Sequence, residues 1–270
     1  MPSPATSAQD IEPPGLSAVD DEPRDPYADT RNPAEAVPEF LARLPPVPAD
    51  GNPPVSYWYS VYPDCHGPDT PVDAPDIAQA IRFRRAGRRL LQRYKLARDS
   101  NSRNEPLCAR QREELTRDIG RLARENGIAE GKWMLFPTID TVTEVWRAVA
   151  EAVVAGRLGV GAKVATAGLE GDENARVICM YTKDFTDVED VKRVLLALDE
   201  MGLVKAAAGR ASHIMYNCDA YTCLDIYKGN EYQLPVSIYK RSDMFPERRS
   251  PSASERGRAH VLKELLQRGQ

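Results

Sequence analysis

The chain has 270 residues, of which 42% are hydrophobic, enough to bury the core of one domain of about 200 residues besides polar ends. Its formal net charge of −4 argues against a nucleic-acid binder that is basic overall, although local basic patches remain compatible with it. The sequence has neither an early apolar run nor an uncharged apolar window of about 20 residues. We therefore expect no membrane partner and a cytoplasmic location, with the nucleus as a second compartment.

The chain divides into three parts by composition. Residues 1–32 contain six prolines and seven acidic residues against two basic ones, which predicts a disordered acidic segment. Residues 33–245 carry the apolar periodicity and are predicted to form a single α+β domain. Residues 246–270 are polar and are predicted to be a mobile tail in which 255–268 form a short helix with little to bury.

Five segments have the apolar spacing of helices. A short helix is expected within 34–48, because Phe40, Leu41 and Leu44 share one face. Longer helices are predicted over 76–98, 105–126, 139–155 and 187–201. Asn126-Gly127, Gly156 and Gly202 are typical helix ends, and Thr141 with Glu144 suggests a capping box.

The remaining apolar runs have the composition of strands. Residues 55–62, "VSYWYSVY", are aromatic and β-branched. "KWMLF" is apolar on both faces, which predicts a central strand, and the runs 158–166 and 175–182 predict an antiparallel hairpin. Short strands are expected near 203–207, 213–217, 222–227 and 233–239. This order predicts an α+β fold in which helices pack on one face of a mainly antiparallel sheet.

Several cations lie in or beside these strands. Lys132 opens its strand, and two interpretations stay open: a solvated lysine whose stem covers apolar surface, or a phosphate contact at a partly desolvated rim. Lys163 lies inside an apolar strand, whereas Arg176 begins and Lys183 follows the next one. If these four side chains converge, they form an anion-binding site for a nucleotide, RNA or phosphopeptide.

The helix predicted over 76–98 carries eight basic residues and no acidic one over 77–98. Arg84, Arg85, Arg88 and Arg89 form the centre of this candidate nucleic-acid patch. The alternative is a solubilising face that pairs with the acidic N-terminal segment or with Glu113, Glu114 and Asp118.

Patterns for catalysis or cofactors are sparse. Trp146 and Trp133 fit core positions, which leaves Trp58 as the candidate for base stacking. The three histidines and five cysteines show no zinc spacing, and no Gly-rich phosphate loop occurs, so we predict no metal, no cofactor and reduced thiols.

Four ordered blocks carry a family resemblance: "GKWMLF", "VVAGRLGVGAKVAT", "RVICMYTKDFTD" and "DAYTCLDIYKGNEYQLPVSIYKR". With "EFLARLPP" they resemble the basophilic-leukaemia-expressed (Bles) family of uncharacterised eukaryotic proteins over about 33–242. The resemblance implies the fold of the cap-binding translation initiation factor, a curved antiparallel sheet with helices on its convex side. Neither Trp58 nor Trp133 matches the cap-binding motif, so no cap residues are assigned.

A weaker resemblance, over about 130–205, is to bacterial phosphothreonine lyases, which use a lysine as base and a histidine two residues later as acid. Here Lys132 is followed by Met134, which has no proton to donate. Three functions are therefore carried forward: non-catalytic binding of an anionic ligand, a lyase-like enzyme with Lys132 as base, and a scaffold that binds protein partners through residues 1–32.

Overall fold

The computed structural model of the chain describes residues 27–48, 54–64, 77–168, 172–204, 214–239 and 241–244. The predicted tail and most of the predicted acidic segment lie outside these residues. Residues 27–32 lie inside them, and Asp29 and Arg31 pair with the first strand through their backbone. This first part of the described chain thus belongs to the folded unit.

The described chain contains seven helices and five strands. The helices are α1 Val37–Arg43, α2 Ile77–Ser100, α3 Glu105–Glu125, α4 Val142–Val154, α5 Val188–Glu200, α6 Asp219–Cys223 and α7 Arg241–Met244. The strands are β1 Trp58–Val61, β2 Gly131–Leu135, β3 Gly161–Ala165, β4 Ile178–Thr182 and β5 Met215–Cys218. They form one open antiparallel sheet in the order β1-β3-β4-β2-β5, which confirms the α+β prediction and the inner position of β2.

Local capping explains where the main helices begin and end. The side chain of Asn104 accepts a hydrogen bond from the Leu107 amide at the start of α3, and Gly127 follows its end at φ +68°. Asp187 caps α5 in the same way through the Asp190 amide. The capping box predicted at Thr141 does not form, because that hydroxyl lies 3.1 Å from the hydroxyl of Thr138 instead.

Strand alternation gives the sheet two different faces. On one face, large side chains such as Trp133, Met180 and Tyr216 are fully buried in the main core, which extends from Val37 to Met244. The Trp133 indole donates a hydrogen bond to the Val191 carbonyl of α5, so this face is the one that the helices cover. The opposite face carries a small apolar cluster that contains no helical residue among those described. We call it the open face.

Short segments flank both outer strands. Beside β1, Arg31 donates its amide proton to the Ser60 carbonyl, and the Ser60 amide donates to the Asp29 carbonyl. Beside β5, the Ile238 amide donates to the Tyr216 carbonyl, and the Ser237 hydroxyl accepts from the Tyr216 amide. We call the stretch with Asp29 and Arg31 and the stretch with Ser237 and Ile238 the flanking segments.

The strands predicted near 222–227 and 233–239 are wrong. The first run begins inside α6 and continues as a loop through Asp225, whose φ is +59°. Leu224 packs against the backbone of α2 at Gly87, so the apolar residues of this run serve the helical layer. The second run contributes a single bridge, between Tyr239 and Tyr216. The strand expected near 213–217 is present as β5, and 205–213 lie outside the described residues.

Candidate anion-binding site on the open face

The open face gathers cations and aromatic rings from four strands. The register places Lys163 opposite both Ser60 and Cys179, and Lys132 opposite Tyr181. Side chains at these positions alternate away from the buried face, so they meet above the sheet. We call the following residues the open-face cluster: Trp58, Lys132, Lys163 and Tyr181, with Glu130 and Asp219 at its side.

Lys163 is the central cation of this cluster. Its Nζ lies 4.4 Å from the centre of the Trp58 ring and 5.4 Å from that of Tyr181, within the range of cation–π contacts. Within the described part of the chain it makes no ion pair. Partial burial lowers the Lys163 pKa, and the nearby charge of Lys132 acts in the same direction. The charges of Asp219 and Glu130 act in the opposite direction, but neither carboxylate forms an ion pair with Lys163 in the described chain. A bound anion would supply that direct contact.

Lys132, in contrast to Lys163, already has a carboxylate partner. Its ammonium forms an ion pair with Asp219, the first residue of α6, and lies 5.5 Å from the centre of the Tyr181 ring. Both partners are largely shielded, with side-chain exposures of 14% and 29%. The two lysines thus share the Tyr181 ring, but Asp219 already neutralises one of them.

Glu130 and Asp219 form the acidic side of the cluster. The Asp219 amide donates to the Glu130 carbonyl, which fixes the start of α6 against β2. Burial raises the Glu130 pKa, and the charge of Asp219 adds to this effect, whereas Lys132 and Lys163 oppose it. Sequence reasoning missed both acids. Glu130 precedes Lys132 by two residues and could have been found from strand alternation, but Asp219 is far away in sequence.

The remaining groups of the open face are neutral. Burial raises the pKa of the Cys179 thiol to about 11, and that of the Tyr181 hydroxyl rises far above its ordinary value for the same reason. A thiol in this state is a poor nucleophile. Cys108, Cys179, Cys218 and Cys223 are all free thiols, as predicted for these four.

The other two predicted strand cations do not join the cluster. Arg176 precedes β4 by two residues and lies outside the strand register that brings Lys163 and Tyr181 together. Its guanidinium is buried and donates to the backbone carbonyls of Glu173 and Ala175. Lys183 follows β4 as an exposed residue. The structure therefore brings Lys132 and Lys163 together and leaves Arg176 and Lys183 elsewhere.

The tryptophans separate as their sequence positions predicted. Trp133 and Trp146 are fully buried, which confirms them as core residues. Trp58 is partly exposed and lies on the open face, whereas Trp133 lies on the helix-covered face. These two rings cannot enclose a planar base between them.

The basic residues of α2 fall into two groups. Arg84 and Arg88 point toward Asp225, with N–O distances of 4.0 and 3.2 Å, and Lys95 pairs with Glu231. The pairing expected with Glu113, Glu114 and Asp118 is absent among the described residues. Arginines on the outward face are exposed and make no ion pair in the described chain. We call them the outer stripe of α2: Arg82, Arg85, Arg89 and Arg93.

The described residues contain no group of three or more His, Cys, Asp or Glu side chains arranged to hold a metal ion. No helix among them is long and apolar enough to span a membrane. His66, His213 and His260 lie outside the described residues.

The family profile described as "Basophilic leukemia-expressed protein Bles03" matches residues 3–225. The chain belongs to the Bles03 family. The match begins upstream of the resemblance noted at the sequence level and includes β1 to α6, hence all six members of the open-face cluster. In this Bles03-family chain, the cluster therefore lies entirely within the part that defines the family.

Proposed function

We propose that this Bles03-family chain is a non-catalytic binding protein for a phosphate-bearing ligand of nucleotide type, held on the open face of its sheet. The observation that supports this most directly is Lys163, a half-buried ammonium between two aromatic rings that has no carboxylate partner in the described chain. A phosphate supplies the missing counter-charge, and charge-assisted hydrogen bonds of this kind are strong in shielded sites.

The aromatic surroundings favour a nucleotide over a phosphopeptide. Trp58 and Tyr181 offer ring surface within a few ångströms of the cation, and nucleobases stack on such side chains. A phosphopeptide would use the cation but has no general need for the rings. RNA presents the same chemistry at a chain end or in an unpaired stretch.

The lyase alternative receives less support from the same geometry. Its base would be Lys132, but that ammonium is held by Asp219, and Met134 two residues later carries no proton to donate. Cys179 is protonated and buried. These features favour binding without turnover. A scaffold role for the acidic segment stays a separate proposal, because residues 1–26 lie outside the described chain.

We expect nucleoside monophosphates to quench the fluorescence of Trp58, and the Lys163→Met variant to bind them at least about tenfold more weakly. Loss of one charge-assisted contact in a shielded site is worth about 1.5–3 kcal/mol. Trp133 and Trp146 are fully buried, so the change in emission reports Trp58. Titration of the four monophosphates and of inorganic phosphate measures the separate contributions of base and phosphate.

The matched control is Lys228→Met, which removes an equally charged but exposed side chain. Its affinity should equal that of the unmodified protein. Equal affinity of the Lys163→Met variant would contradict the proposal, and so would a titration in which no monophosphate binds. If inorganic phosphate bound as tightly as the nucleotides, the base would make no contribution to affinity, and the ligand would be recognised by its phosphate alone.

The outer stripe of α2 supports a second candidate function, contact with RNA. Four exposed guanidiniums without carboxylate partners in the described chain line one face of a 24-residue helix. Such a stripe binds phosphates by releasing counterions from the nucleic acid. The proposed RNA contact uses Arg85 and Arg89 of the predicted patch together with Arg82 and Arg93. Arg84 and Arg88 are left out because they face Asp225.

The double variant Arg85→Gln with Arg89→Gln is expected to bind single-stranded RNA about tenfold more weakly at low salt. Each lost phosphate contact should reduce the slope of log K against log salt by about 0.7. Fluorescence anisotropy with a labelled RNA at several salt concentrations measures both quantities. The control, Arg84→Gln with Arg88→Gln, removes the same charge from the paired face and should lose less. Equal losses of RNA affinity in the two double variants would show that binding depends on the net charge of α2 and not on the outer stripe.

A further inference from the structure

A second concave surface lies on the helical side of the molecule, away from the open face. It is a cleft of about 770 Å³ between α3, α6 and the segments that follow β4 and β5. Cavities of this size commonly hold small organic ligands. Its most important lining residues are Phe185, Tyr221, Ile238 and Tyr239 on the floor and Arg117, Arg121 and Arg124 at the rim.

The floor of the cleft is apolar. Phe185 and Tyr221 are buried to at least 94%, and Ile238 and Tyr239 are partly buried. A Cβ at Gly120 in α3 would lie 3.8 Å from the Phe185 ring, so the missing side chain leaves a gap of about one methyl group beside that ring, at the wall of the cleft. Apolar surface of this kind is covered favourably by a hydrocarbon group.

The rim carries three arginines, one of which has no ion-pair partner in the described chain. Arg121 pairs with Asp118 at 2.7 Å, and Arg124 reaches Asp184 only at 3.6 Å. Arg117 is exposed and makes no ion pair within the described chain. Together with Glu125, which also lines the cleft, Asp118 and Asp184 balance the three arginines overall. Arg117 is therefore the rim group that an anionic head group would complement.

One polar group is buried within the cleft itself. The Tyr221 hydroxyl makes no hydrogen bond of ordinary geometry within the described chain, although the neighbouring Thr116 hydroxyl is near enough to offset part of the effect of burial on the Tyr221 pKa. Thr116 donates its own hydroxyl proton to the carbonyl of Arg112. Burial raises the Tyr221 pKa to about 12, so the hydroxyl keeps its proton and can donate it.

From the apolar floor, the arginine rim and the unpartnered hydroxyl, we infer that this cleft binds an amphipathic organic anion. Its apolar body would rest on Phe185 and Tyr239, and its carboxylate or phosphate would meet Arg117. This site is independent of the open-face cluster, because no residue of that cluster lines the cleft.

Dodecanoate is the probe for this site, and it should displace 1-anilinonaphthalene-8-sulfonate from the full chain with a Kd of about 10–100 μM. The variant Gly120→Leu should weaken dodecanoate at least about tenfold, because the new side chain fills the gap beside Phe185. The fold should survive, since leucine favours a helix interior more than glycine does. Gly120→Ala adds only a methyl group at ordinary contact distance and should bind nearly normally.

The head group is tested by a second pair of variants. Arg117→Gln should weaken dodecanoate and dodecyl phosphate about five- to tenfold and leave dodecanol unchanged. Arg110→Gln, in the same helix but outside the cleft, should change none of the three. The inference would be overturned by unaltered dodecanoate affinity in Gly120→Leu, by equal affinities for dodecanoate and dodecanol, or by no binding to the unmodified chain.

Discussion

Replacing Gly159 with alanine is expected to destabilise the folded protein by about 3 kcal/mol, near the upper end of what overpacking one methyl group produces. A Cβ at this position would overlap the backbone carbonyl oxygen of Tyr181 and lie 2.8 Å from its carbonyl carbon. That oxygen accepts the Val160 amide at the start of the β3–β4 hairpin. Neither backbone can move without disturbing this pairing.

Urea unfolding measures this effect as a lower midpoint with an unchanged m-value. Gly120→Ala is the matched control, because the same methyl group meets only the Phe185 ring at ordinary distance and improves helix propensity. The control should therefore be as stable as the unmodified chain or more so. A Gly159→Ala protein of undiminished stability would show that the close approach of Gly159 to β4 is not a packing constraint.

Nucleotide affinity is expected to fall between pH 8 and pH 10.5 toward that of the Lys163→Met variant, and the fall should begin at a pH where an ordinary lysine is still mostly charged. Partial burial lowers the Lys163 pKa below its usual 10.5, so this ammonium loses its proton, and with it the phosphate contact, earlier as pH rises. The phosphate itself no longer titrates there. Fluorescence titrations at half-unit pH steps would give the profile.

Lys163→Arg provides the control for this profile, because a guanidinium stays charged throughout. Affinity in that variant should be nearly independent of pH from 8 to 10.5. The charged or titratable groups that face Lys163 are Lys132, Glu130, Asp219, Cys179 and Tyr181, and all of them are present in both proteins. A decline that persists in Lys163→Arg would assign the titration to one of these groups instead.

Much of the fold could be predicted because its signals are local. Side-chain periodicity predicts the apolar faces of α2 to α5, the hairpin of β3 and β4 and the inner position of β2. The same reasoning gave a wrong prediction for the run of residues 222–227, which does not form a strand. Its aromatic and branched residues suit a strand, but Leu224 packs into the gap left by Gly87 of α2, a contact between residues far apart in sequence.

The candidate site was predictable only in part. Lys132 and Lys163 could be identified as cations on apolar strands, but their grouping with Tyr181 depends on the register of three paired strands. Arg176 looked equivalent, yet it lies before β4, where its buried guanidinium donates to the carbonyls of Glu173 and Ala175. Asp219 could not be foreseen, because it meets Lys132 only when α6 folds against β2.

The two flanking segments have a consequence for how molecules of this protein meet one another. The exposed borders of β1 and β5 would otherwise present free amide and carbonyl groups, which recruit strands from neighbouring chains and lead to sheet-mediated aggregation. Asp29, Arg31 and Ile238 already occupy several of these groups. Self-association by strand addition is thereby discouraged, and approach from solution is directed to the face of the sheet that no described helix covers rather than to its margins.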